Sequence, residues 1–171
     1  AFEELADGMG KASALMFDET DDIVKVIGEK DRADVVKFPY KAHPYKVKDG
    51  KVILETSQGD LPLMIFGEHN MKNLMGAKLI LERIGISESQ FYAAVQNFKG
   101  AAKRLETLSS NKNTHIYRDF AHAPSKVGAT TNATKELYDN RRLVACYELH
   151  TFSSLNKDFL PHYEGKLDDA D

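Results

Sequence analysis

Gly67-Glu68-His69-Asn70-Met71-Lys72-Asn73 decides how this chain is read. A glycine closes the apolar run Leu61 to Phe66, and His69, Asn70 and Asn73 then open an amphipathic segment. Such a sequence predicts a strand-to-helix turn that gathers polar side chains at a helix N-terminus. Such a gathering of polar groups is a suitable place to hold a nucleotide. Downstream, Met71, Leu74, Ala77, Leu81 and Ile84 form one apolar stripe, with Lys72, Lys78, Glu82 and Arg83 outside it. Gly85 ends this helix, and Ser87 with Gln90 forms a capping box for the next, whose buried face is Phe91, Ala94, Val95 and Phe98.

Upstream the sequence is rich in strands. Phe2, Leu5 and Met9 at helical spacing predict a short first helix, and Ala12 to Phe17 a buried strand. Thr20-Asp21-Asp22 caps a helix through Ile27 that Gly28 stops, and Val35 to Phe38 is a strand. Tyr45 to Lys48 and Lys51 to Leu54 flank Asp49-Gly50, a hairpin turn in which both central residues tolerate positive φ. Gly8-Met9-Gly10-Lys11 is not a phosphate-binding loop, which needs four residues between its glycines and Ser or Thr after the Lys. Gly100-Ala101-Ala102 separates the two helices from a β-α-β rhythm: strand Thr114 to Arg118, helix Ser125 to Tyr138, strand Arg142 to Leu149, then helix Leu155 to Leu160. That alternation predicts a parallel sheet with ligands at the carboxyl ends of its strands, where Asp119, His122, Glu148 and His150 fall.

Composition narrows the function classes. With 171 residues, 42% hydrophobic and 29% charged, the chain can bury one substantial core or two small ones. A net charge of -3 without a basic stripe argues against nonspecific nucleic-acid binding, which needs several cations to neutralise phosphates. No apolar run approaches a membrane span. Cys146 stands alone, so there is no disulfide framework, and a reducing, cytoplasmic setting is expected. The six histidines are scattered without metal-ligand spacing, so no dedicated metal cage is expected.

Each candidate has an ordinary alternative. An isolated Asn-x-x-Asn more often caps a helix, and a single His69 is more often a hydrogen-bonded structural histidine. Arg104 and Glu106 also suit a surface ion pair, and Asp119 an N-terminal cap for the helix after Pro124. Their order along the chain is more specific. Gly67-x-His69-Asn70-x-x-Asn73, then Ile84-Gly85-Ile86, Phe98-x-Gly100-x-x-Lys103-Arg104-Leu105-Glu106 and Asp119-Phe120-Ala121-His122-x-Pro124 resemble the Mur ligases of peptidoglycan synthesis. The likeness is strong from Gly67 onward and covers Ala1 to Phe66 only as a plausible tail of that family's central domain. It is closest to the branch of the UDP-N-acetylmuramate:L-alanine and murein-tripeptide ligases.

The resemblance implies an α/β chain in two parts: residues 1–99 as the end of a central ATPase-type domain, and 100–171 as the incomplete beginning of a Rossmann-like β-α-β domain. It implies an ATP-dependent amide ligase acting through an acyl phosphate, with UDP-N-acetylmuramate and L-alanine or a muramyl peptide as substrates. Asn73 would bind the adenine edge, with His69 and Asn70 lining the pocket; Arg104 would reach the ribose and phosphates, and Asp119 the ribose hydroxyls. His122 would be the catalytic residue near the γ-phosphate and reacting carboxylate, and His150 would meet the incoming amine substrate. Position 123 is Ala where many relatives carry a second His, so that neighbour's role does not transfer. Mg²⁺ ligands and a Walker loop would lie upstream of this chain. The 171 residues alone are therefore expected to be inactive as a ligase and prone to self-association. A noncatalytic nucleotide-binding or scaffold module is the alternative, and a hinge near Lys99-Gly100 is expected to close two halves over one nucleotide.

Overall fold

The computed structural model describes residues 1–171. It is a mixed α/β architecture with parallel and antiparallel sheets and flanking helices. The first unit is a helix (α1, Phe2–Asp7), a strand (β1, Ala14–Asp18), a helix (α2, Asp22–Gly28) and a second strand (β2, Val36–Tyr40) parallel to the first. Asp21 caps α2 by accepting from the N–H groups of Ile23 and Val24.

A three-stranded antiparallel sheet follows: β3 (Tyr45–Lys48), β4 (Lys51–Thr56) and β5 (Gly59–Leu63). The β3–β4 turn is the expected one, with Asp49 at φ 53° and Gly50 at φ 69°. Pro62 is tolerated because β5 lies at the sheet edge. The strand expected to reach Phe66 stops at Leu63, and buried Ile65 and Phe66 lead into α3 (Glu68–Arg83). The capping box of α4 (Glu88–Val95) forms as expected: Gln90 N–H donates to Ser87 Oγ, and Ser87 N–H to Gln90 Oε1 at 2.9 Å.

Beyond Gly100 the β-α-β expectation meets three corrections. Thr114 to Arg118 does become a strand (β7, His115–Arg118), but it pairs antiparallel with β6 (Glu106–Ser110), which the sequence reading did not include. Asn111 makes that hairpin, its side-chain oxygen accepting from the N–H groups of Asn113 and Thr114 at 2.8 Å. The helix follows as α5 (Pro124–Leu137), whereas residues 142–149 form no ladder. The helix expected at Leu155 to Leu160 is instead a run of turns ending in a 3₁₀ turn, Leu160–Tyr163. No helix is long and apolar enough to cross a membrane.

One core joins these pieces. Val52, Leu54, Leu63, Met71, Leu74 and Phe91 pack with Leu105, Ala133 and Leu137, so residues from both sides of position 100 share one buried cluster. Leu54 and Met71 have no exposed surface.

Candidate functional site

Gly67 sits at φ 87°, a backbone state that L side chains rarely adopt. A Cβ there would lie 2.6 Å from the Ala133 Cβ and 2.9 Å from His69 Cε1, so only glycine lets α5 and the first turn of α3 meet. The site is built on that close approach. His69 follows half-buried, and burial pushes its imidazole below the ordinary histidine range; nearby Asp119 opposes the shift, while Arg104 reinforces it. His69 from the first part therefore lies in the field of two side chains from beyond residue 100.

The two asparagines differ. Asn70 donates its side-chain amide to Phe66 O at 2.7 Å, which ties the strand exit to the helix. Asn73 is exposed one turn along the same helix face as His69, and no protein group accepts or donates at its amide. Lys72, on the neighbouring face, pairs with Asp18 and Glu68 at 3.3 Å each.

Across from this turn, residues 103–105 are held in an unusual shape. Lys103 (φ 59°) and Leu105 (φ 47°) both occupy the left-handed region, which costs of order 1 kcal/mol or more per non-glycine residue. Two carboxylates support it. Asp119 Oδ2 accepts from Leu105 N–H at 2.7 Å, and its Oδ1 accepts from Ala121 N–H at 2.7 Å and Thr130 Oγ1–H at 3.3 Å. Glu106 accepts from Lys103 N–H at 2.8 Å and from Arg118 at 2.9 Å, and Arg118 holds its carboxyl below the usual range. Arg104 lies between these anchored residues along the chain, exposed and with no ion pair. Glu106 thus pairs with Arg118 and not with Arg104, and the N-cap of α5 is Ala123 and not Asp119.

A second group forms around Phe120. Its ring centroid lies 5.2 Å from that of His122 and 5.9 Å from that of His150. Both histidines turn Nδ1 to a nearby carbonyl at 3.0 Å, Phe120 O for His122 and Glu148 O for His150. A carbonyl only accepts, so Nδ1 is the donor in both rings and Nε2 is left uncommitted. The His122 carbonyl in turn accepts from Tyr163 OH at 2.6 Å and Tyr147 OH at 3.1 Å. Sequence reasoning did not single out these two tyrosines, and nothing in their spacing marks them. His69 thus lies within charge–charge reach of Arg104 and Asp119, and His122 and His150 flank the Phe120 ring.

The residues present suit a nucleotide better than a metal ion. A helix N-terminus, an uncommitted amide at Asn73 and an unpaired guanidinium at Arg104 are groups that bind a base and phosphates. No cluster of three or more His, Cys, Asp or Glu side chains is arranged to hold a metal.

No family model matches the chain. The UDP-N-acetylmuramate–L-alanine ligase of Persephonella marina is 26% identical over 160 residues, covering 90% of this chain and 35% of that protein. The same-named ligase of Clostridium kluyveri is 30% identical over 125 residues, covering 68% of this chain and 27% of that protein. In structure, the UDP-N-acetylmuramate-alanine ligase of Thermotoga maritima superposes on 99% of this chain and 38% of its own with a TM-score of 0.71 at 17% identity, a likeness of fold. The chain thus spans about a third of the length of the curated relatives it matches. These similarities point to the Mur-ligase superfamily.

Proposed function

We propose that residues 1–171 carry part of the nucleotide site of an ATP-dependent amide ligase that joins L-alanine or a peptide to the carboxylate of UDP-N-acetylmuramate. The observation that carries this reading is the shared neighbourhood of His69, Arg104 and Asp119, with Asn73 free on the same helix face. Residues 1–99 and 100–171 act as the end of one domain and the beginning of the next. ATP supplies the phosphoryl group that activates a carboxylate for attack by an amine. The chain's own contribution is placement: the Asn73 amide matches the donor and acceptor pattern of a purine edge, and the Arg104 fork matches phosphate oxygens. Asp119 has a double role, holding Leu105 while its remaining lone pairs accept from ribose hydroxyls. Neutral His69 lines the pocket beside Asn70 without adding charge.

His122 and His150 hold Nδ1 on main-chain carbonyls and leave Nε2 uncommitted beside one aromatic ring: an unprotonated Nε2 accepts from an incoming ammonium group, and only a protonated one donates to the reacting carboxylate. Mg²⁺ ligation is assigned to sequence outside these residues.

The test is a product assay on a polypeptide of the relatives' full length that contains this sequence. Phosphate release from ATP is expected only when UDP-N-acetylmuramate is present with L-alanine or a muramyl-type peptide. The 171 residues alone are expected to give none. Arg104→Ala is expected to raise the KM for ATP by roughly tenfold, as loss of one charge-assisted contact implies. Hydrolysis indifferent to the muramate substrate would contradict the proposal.

A further inference from the structure

Residues 119–123 and residues 142–150, which bring His122 and His150 to the Phe120 ring, both lie outside the strands and helices. No main-chain hydrogen bond joins the two stretches. Each is anchored elsewhere: Phe120 N–H donates to Lys103 O at 2.8 Å, and Leu143 O accepts from Asp171 N–H at 2.9 Å. The hydrogen bond that does join them runs from Tyr147 OH to His122 O at 3.1 Å. Tyr163, which closes the 3₁₀ turn, reinforces it. Its hydroxyl donates to the same carbonyl at 2.6 Å and lies 3.2 Å from that of Tyr147.

His122 O is a carbonyl that regular structure cannot satisfy. Ala123 is the N-cap of α5, and it is the Ala123 carbonyl that accepts from the N–H groups of Lys126 and Val127. One residue earlier, after β7 and before the helix, neither a ladder nor a helical turn supplies a donor. Two phenols supply it instead. Both are half-buried, their ring centroids 5.5 Å apart, and Phe159 stands nearly perpendicular to Tyr163 at 6.0 Å. Burial and then Tyr163 push the Tyr147 phenol up, so it stays a donor through the neutral range. On the other side of His122, Asp119 holds Ala121 N–H at 2.7 Å, and the ring itself is tied to Phe120 O. Because Tyr147 stands three residues before His150, its bond to His122 also sets how far the His150 ring stands from Phe120.

We infer that Tyr147 and Tyr163 are positioning residues: their hydroxyls dock the stretch carrying His150 on the His122 carbonyl and so set the spacing of the two imidazoles about Phe120. The inference rests on the proposed assignment of those histidines to the reacting groups. Phenylalanine at both positions keeps the aromatic packing and removes only the hydroxyls.

The Phe120 ring displaces the nuclear magnetic resonance signals of the His122 and His150 ring protons, so those signals read ring placement in the 171-residue chain at one fixed pH. In the double variant Tyr147→Phe, Tyr163→Phe, the His150 ring-proton signals are expected to move most of the way to free-histidine positions, and in Tyr163→Phe part of the way. Tyr45→Phe, which removes a hydroxyl bonded to Glu136, is expected to leave them unmoved. Unmoved His150 signals in the double variant, with only its unfolding midpoint lowered, would reduce the tyrosines to anchors of residues 142–171 and overturn the inference. In a polypeptide of the relatives' full length, the double variant is expected to lose about tenfold in kcat, the equivalent of one hydrogen bond, with the KM for ATP unchanged. Full kcat in the double variant would overturn the inference as well. No ligation by the unsubstituted polypeptide would contradict the proposed function alone, and the ring-proton signals would still decide what the tyrosines do.

Discussion

Residues 45–137 and residues 142–171 are both rich in apolar side chains, but only the first region buries them. Val52, Leu54, Met71, Phe91, Ala133 and Leu137 meet in one cluster from both sides of residue 100. In the second, Val144 is 70% exposed, Phe152 is 95% exposed, and the fully buried residue is the polar Ser154. The strand-forming run Leu143 to Tyr147 has the same local preference as β4, and what separates them is a partner. β4 has β3 and β5 on its two edges, each delivered by a short turn. Local preference proposes a strand; a ladder on both edges makes it a buried one.

The largest expected effect that tests this contrast is in the core. Leu54→Ala should cost about 2–5 kcal/mol of unfolding free energy, whereas Val144→Ala should stay within about 0.5 kcal/mol. Urea unfolding of both variants measures the difference, and comparable losses would break the comparison. Next comes Asp119→Ala, which strands the N–H groups of Leu105 and Ala121 and should destabilise by about 1–3 kcal/mol. Asp119→Asn should recover part of that stability by keeping an acceptor oxygen.

A smaller effect concerns pH. Burial lowers the folded-state pKa of His69, so the unfolded chain binds the proton more readily. The stability tied to neutral His69 is fully present above the unfolded value of about 6.5 and is lost as pH falls through the lowered folded value. His69→Gln should flatten that part of the stability profile, as denaturant titrations between about pH 7.5 and 5 would show. Smallest is Tyr45→Phe. Burial and then Glu136 push the Tyr45 phenol up to about 12, so it stays a donor to Glu136 throughout the neutral range. Its loss should cost at most about 1 kcal/mol in the same unfolding assay.

Much of the first region was legible because its signals are local. Asp49-Gly50 specified the β3–β4 turn, Ser87 and Gln90 the start of α4, and the Met71, Leu74, Leu81 spacing the buried face of α3. β6 was not legible: Glu106-Thr107-Leu108-Ser109-Ser110 is mostly polar and exposed, and its pairing follows from the Asn111 turn and a bulge between Thr107 and Ser109. The reverse error occurred at residues 142–149, where composition favours a strand that lacks a partner. Among the site residues, Gly67, His69 and Asn73 were marked by spacing along one helix. The carboxylate support of the Lys103–Leu105 loop and the tyrosine hydroxyls on the His122 carbonyl join residues up to 41 positions apart, which no local pattern encodes.

The central claim is that α3 and the loop after Gly100 serve one nucleotide. It is tested most directly by nuclear magnetic resonance of the 171-residue chain titrated with a nonhydrolysable ATP analogue. The Asn73 side-chain amide and the Arg104 Nε–H signals should both shift and should yield the same dissociation constant. A response at one with none at the other, or two different constants, would contradict the account.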